Sequence, residues 1–111
     1  MKNYVQEGDT ITIAAPYDVL SGKGLLVGSI FGVASFDALS GASVEAQIEG
    51  VFDLAKVSAQ AWTVGALIYW DDTAKAATTT VGTNKLIGVA LAAAANPSAT
   101  GRVRLNGAFI A

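Results

Sequence analysis

From Val44 to Leu54 the chain alternates without a break. Val44, Ala46, Ile48, Gly50, Phe52 and Leu54 fall on one side, and Glu45, Gln47, Glu49, Val51 and Asp53 on the other. Successive side chains of extended backbone point to opposite faces, so this period of two predicts a strand with one buried and one wet face. A helix would scatter the same residues around its circumference. Ile11 and Ile13 alternate with Thr10 and Thr12, so another strand starts just after Gly8-Asp9, and Pro16, lacking an amide proton, marks its end or an edge position. Leu25 to Phe36 reads as one or two buried strands, with glycines where backbones approach or bend. Ala66–Trp70, the Thr-rich Ala76–Val81 and Leu86–Leu91 are further strands, and Arg102–Leu105 alternates with both arginines on one face.

Between these runs lies turn chemistry: Ser21-Gly22-Lys23-Gly24, Leu39 to Ser43, Asp71 to Lys75, and Gly82-Thr83-Asn84. One segment reads differently. Ser58 is a reasonable N-cap, Ala59-Gln60-Ala61-Trp62 tolerates a helical turn and Gly65 would end it, which predicts one short helix near residues 58–63. Ala90 to Ala95 reads as strand followed by loop, because Asn96-Pro97 cuts the alanine run short. Even spacing of short strands and turns points to a mainly β, compact antiparallel barrel-like or sandwich-like single domain over residues 9–111, preceded by an N-terminal arm, residues 1–8. There is a hint of duplication: a segment opening at Gly8-Asp9 closes with Gly32-Val33-Ala34, and one opening at Gly65-Ala66 closes with Gly88-Val89-Ala90. Chance is the rival reading, since these residue types are abundant.

Composition narrows the function. A length of 111 residues suits one domain able to hold a core without metals or disulfides. Only 14% of residues are charged, against about 25% in a typical soluble domain. That leaves two readings: a surface that packs against a partner, or simply many small neutral residues. The net charge of −2 and the lack of any basic cluster beyond Arg102 and Arg104 argue against nucleic acid as a partner. The polar start of the chain lacks the apolar core of a signal peptide, and the longest apolar stretch is too short to span a bilayer, so a soluble protein not secreted by a standard route, with no membrane partner, is expected. The absence of cysteine fits an intracellular assembly.

Chemistry is scarce. There is no histidine, which excludes Ser–His–Asp triads and two-His metal sites. Asp71 and Asp72 beside Trp70 could suggest a sugar or calcium site, but adjacent aspartates in a turn serve local backbone amides far more often. Ser21-Gly22-Lys23-Gly24 resembles part of a phosphate-binding loop, yet Tyr17 stands where the motif needs its first glycine and Gly24 where it needs Ser or Thr. Phe31, Trp62, Tyr69 and Trp70 could form a stacking platform, although core packing plus one interface aromatic is the commoner use of such residues in strands. Glu45, Gln47 and Glu49 read as a solvated row. No catalytic residue, cofactor or metal site is expected.

From end to end the chain resembles the small capsid decoration, or cement, proteins of tailed phages. The resemblance runs through Met1 to Gly8, Ala15-Pro16-Tyr17-Asp18-Val19 with Ser21-Gly22, and Gly32-Val33-Ala34. It continues through Glu49 to Leu54 with Lys56, Val64 to Asp71, Ile87-Gly88-Val89-Ala90 and Val103 to Gly107. It implies a compact β-barrel-like fold, a place on the outer surface of the virion capsid after synthesis in the host cytoplasm, and stabilisation of the mature head. The implied partners are the major capsid protein and further copies of the chain, as a homotrimer. It carries no catalytic residues across. The contact region expected is the arm, Lys2, Asn3, Tyr4, Val5, Gln6 and Glu7, which can add a strand to a neighbouring sheet edge, with Trp70 as the interface aromatic. Two other roles stay open: a surface module holding host glycans through Trp62 or Trp70, and a head–tail joining component.

Overall fold

The computed structural model describes residues 9–107. Among these residues nine strands form two antiparallel sheets: β1 (Thr10–Ala14), β2 (Gly24–Val27), β3 (Ile30–Ala34) and β4 (Ser43–Gln47), then β5 (Glu49–Ala55), β6 (Leu67–Asp71), β7 (Ala76–Thr78), β8 (Lys85–Ala90) and β9 (Thr100–Asn106). The first sheet has the order β1-β4-β3-β2 and the second β5-β9-β8-β6-β7. Neither is closed into a barrel, although one parallel bridge, Lys56 to Ala77, touches the two edges of the second sheet together.

The long alternation is real but spans both sheets. It divides at Ile48 into β4 and β5. Val44 and Ala46 enter one core cluster and Leu54 the other, while Glu45, Gln47, Glu49, Val51 and Asp53 stay exposed. Leu25 to Phe36 is a hairpin, β2 to β3, turned at Gly28 and Ser29.

No helix forms among the described residues, and this corrects the expectation at 58–63. Trp62 donates its N–H to the Ala94 carbonyl at 2.9 Å and accepts the Ala94 N–H at 3.1 Å, an isolated antiparallel bridge. Its ring is buried against Gly101, where a Cβ would overlap the indole. This tertiary pairing overrides the weak local helical preference.

The two sheets repeat one topology. Ile11 faces Ala46 as Phe52 faces Val103; Leu25 faces Gly32 as Ile68 faces Gly88; Ala34 faces Ala46 as Ala90 faces Val103. The loops match too. Val19 bridges Ala38 as Trp62 bridges Ala94. Gly22 N–H reaches Ala34 O at 2.9 Å, and Gly65 N–H reaches Ala90 O at 2.8 Å. Both glycines hold a left-handed backbone, φ 83° and 86°, that a side chain would strain. The offset between equivalent residues rises from 43 before β7 (Gly22 to Gly65) to 56 after it (Ala34 to Ala90), so β7 and its turns are an insertion of 13 residues. The duplication suggested by Gly-Val-Ala is therefore present as a structural repeat, with a corrected phase: Gly65 matches Gly22, not Gly8.

The two repeats stack face to back. The inner face of repeat two carries Leu54, Trp62, Ile68, Trp70, Ile87, Val103 and Leu105, and the back of repeat one lays Phe31 and Val33 onto it. The Phe31 and Trp70 rings meet at 4.9 Å. The inner face of repeat one forms a second cluster of smaller residues, Ala15, Val19, Leu25, Ala34, Val44 and Ala46, edged by the partly exposed Ile11, Ile13 and Val27.

Candidate interaction surface

Each carboxylate of the Asp71-Asp72 pair has a structural partner. Asp71 Oδ1 accepts the N–H groups of Thr73 and Ala74 at 3.0 and 3.1 Å, closing the β6–β7 turn. Asp72 Oδ1 accepts the Tyr17 hydroxyl and the Trp70 indole N–H, both at 3.0 Å, and lies 3.5 Å from Lys75 Nζ. The Lys75 ammonium sits 4.1 Å from the centre of the Tyr17 ring. Tyr17 also accepts the Leu26 N–H at 3.2 Å, so one side chain ties the edge of sheet one to the insertion of sheet two. Burial, and then the hydrogen bond to Asp72, push the Tyr17 hydroxyl from an ordinary pKa of 10 to about 12. No group of three or more potential metal ligands occurs among the described residues.

Lys56 is buried too, with its ammonium donating to the carbonyls of Val57, Ser58 and Ser98 at 2.9 to 3.4 Å. All three donors are used to pin the loops around Trp62. Ser21-Gly22-Lys23-Gly24 is a plain turn: the Ser21 N–H bonds Asp37 Oδ1 at 2.7 Å, and β2 follows rather than a helix.

The aromatics are core. Trp62 and Trp70 are each 2% exposed and Phe31 is buried, while Tyr69 is half-buried on the opposite face of β6. Tyr69 and Trp70, adjacent on β6, thus take opposite faces of the sheet. Trp70, expected at an interface, offers no open ring face in the folded chain, and neither it nor Trp62 supplies a glycan-stacking platform. The arm residues Lys2, Asn3, Tyr4, Val5, Gln6 and Glu7 lie outside the described residues.

What the outer surface does present is a largely apolar row, interrupted by Arg104, across the back of sheet two. Val51, Arg104, Val89 and Leu67 stand in direct cross-strand register on four strands, with Tyr69 opposite Leu86 beside them. Val51 is 50% exposed, Leu67 52% and Leu86 40%. Next to the row Arg102 and Asp53 pair at 3.0 and 3.2 Å in solvent, which holds the Asp53 carboxyl below its usual range. Sequence reasoning did not single out this row. Its one visible signal was Val51, an apolar residue on the wet side of the long alternation.

The fold is a two-sheet β protein in which Asp71, Asp72 and Lys56 serve turns and loops and the back of sheet two leaves apolar area exposed. The chain belongs to the phage cement protein family, which matches it over residues 5–105. That membership gives it a structural role in a phage capsid and associates it with the virion capsid. No curated protein and no solved structure matches the chain.

Proposed function

We propose that this protein is a non-enzymatic decoration protein that binds the outer surface of a phage capsid, contacts the major capsid protein as a homotrimer, and stabilises the mature head. The observation that carries the reading is the family match across residues 5–105. A protein that binds only the mature lattice stabilises that state by its binding free energy. It shifts the equilibrium only if it binds the mature shell better than the precursor. Many weak contacts around one head then oppose the pressure of packaged DNA. The arm from Lys2 to Glu7 supplies the shell contact in this reading by adding a strand to an edge on the capsid.

The experiment is add-back to heads prepared without the protein. Expected results are new density on the shell exterior by electron microscopy and a higher temperature of DNA release. Bare exteriors, or an unchanged release temperature at full occupancy, would defeat the proposal. Deleting residues 1–7 is expected to lower occupancy at least tenfold; heads that keep the truncated protein at full occupancy remove the arm from the account.

A further inference from the structure

The stacking of the two repeats offers a template for the exposed row on sheet two. In repeat one the back of the hairpin presents Gly24, Leu26, Phe31 and Val33, and three of these pack on the inner face of repeat two. The repeat carries the same four positions onto Leu67, Tyr69, Leu86 and Val89, through the matched pairs Gly24–Val33 with Leu67–Val89 and Leu26–Phe31 with Tyr69–Leu86. These four form the exposed or half-exposed back of repeat two. The receiving face is repeated as well: Phe52, Leu54, Ile68 and Trp70 of repeat two correspond to Ile11, Ile13, Leu25 and Val27 of repeat one. Within one chain the back of repeat two is left uncovered, and on the matching face of repeat one Leu25 is buried while Ile11, Ile13 and Val27 stay partly exposed.

We propose that the back of repeat two docks on the Ile11–Ile13–Val27 face of repeat one in a second copy of the chain. This repeats between molecules the packing that joins the two repeats within one. The shared register of the two repeats argues for a second copy as the occupant. Inside the chain Trp70 lies over Gly24, so closely that a Cβ on Gly24 would overlap it. At the matching place between copies, the smaller Val27 meets the larger Leu67. There a large–small pair is exchanged for two side chains of middle size, while the Phe31–Trp70 contact is replaced by the smaller pair Leu86 and Val27. Unlike surfaces meet in this arrangement, so it is heterologous, and such contacts close into rings when their rotation allows. The inference rests on the homotrimer of the proposed function and names the faces that meet in it: a chain that stays single defeats both, whereas an oligomer indifferent to substitution of the back of repeat two defeats the faces alone.

Light scattering of the purified full chain, over a range of concentrations, tests it directly. A discrete mass at a multiple of the chain mass is expected, and Leu67→Glu with Leu86→Glu is expected to weaken association at least tenfold. Both side chains are exposed, so circular dichroism should stay unchanged. The chain has no cysteine, which allows a second reading of the geometry. Leu67→Cys and Val27→Cys chains, mixed and oxidised, are expected to give disulfide dimers containing one of each. A wild-type chain that stays single at every concentration overturns the proposal. So does an oligomer indifferent to the double Glu variant, or disulfide dimers formed by Leu67→Cys alone, which would mean that the back of repeat two meets itself.

Discussion

Repeat one and repeat two share a hydrogen-bond ladder and differ in what fills it. Repeat two is built around Trp62, Leu54, Ile68, Trp70 and Val103. Repeat one does the same work with Val19, Leu25, Val44 and alanines. Where Trp62 plugs the loop end of repeat two, Val19 holds the matching place. The edges differ as well. Repeat two covers β6 with the inserted β7, and Gln60 holds that insertion through Thr78 Oγ1 at 2.7 Å and the Thr79 N–H at 3.0 Å. Tyr17, the residue matching Gln60, instead caps the Leu26 N–H of the uncovered strand itself. Backbone pairing is set by turn chemistry and alternation, so it survives a wide change of side-chain volume provided each core fills. An edge strand must be covered, and a strand or a single hydroxyl can serve.

The largest break in the comparison comes at the two loop bridges. Trp62→Ala is expected to cost about 3–5 kcal/mol, because it removes the ring that fills the space over Gly101 and leaves a cavity. Val19→Ala, at the matching place, is expected to cost clearly less. Urea unfolding of the full chain checks both, read as a shift in midpoint at constant slope. Equal costs would mean that the Trp62 ring contributes no more than the smaller Val19 side chain does at its place.

How much of this was legible beforehand follows from the kind of signal involved. The strands were legible because alternation is local: Thr10 to Ile13 and Arg102 to Leu105 each declare one wet and one buried face. The false helix at 58–63 arose because Ser58, Gln60 and Trp62 look helical at short range, while the pairing that decides their conformation lies at Ala94. The division of the Val44–Leu54 run between two sheets was invisible for a related reason. Alternation fixes which face a residue takes and not which neighbour covers it. Val51 carried the only hint of the apolar row, since Arg104, Val89 and Leu67 reach it through pairings of distant strands.

A smaller effect is expected at the edge. Tyr17→Phe keeps the ring under Lys75 but removes the hydroxyl between the Leu26 N–H and Asp72. The expected loss is about 1–2 kcal/mol, for the Leu26 N–H left without its acceptor and Asp72 left with only Trp70 and Lys75. The pH dependence gives a second reading. The unfolded chain releases the tyrosine proton near the ordinary value of 10, and the folded chain holds it to about 12. The folded state thus binds more protons in that window, so this contribution is complete below pH 10 and is lost as the pH climbs through 12. Tyr17→Phe is expected to flatten that part of the stability profile. A variant that follows the wild-type profile through this window would show that Tyr17 does not carry the coupling.

The smallest effect sharpens the comparison most. Asp18 accepts the Ser40 N–H at 2.8 Å and Asp37 accepts the Ser21 N–H at 2.7 Å, a reciprocal pair around the Val19–Ala38 bridge. The matching residues of repeat two are Ala61 and Ala93, so that bridge has no such caps and rests on the burial of Trp62. Asp18→Ala and Asp37→Ala are each expected to cost about 0.5–1 kcal/mol, the low range for exposed hydrogen bonds. Hydrogen exchange at Val19 and Ala38 is expected to speed up in the double variant, while exchange at Trp62 and Ala94 stays as it was. If both bridges open together, the two repeats unfold as one unit and the caps serve the whole chain. If only the first opens, repeat one holds its loops by carboxylates where repeat two holds them by a buried ring, and the same ladder is secured by two different physical means.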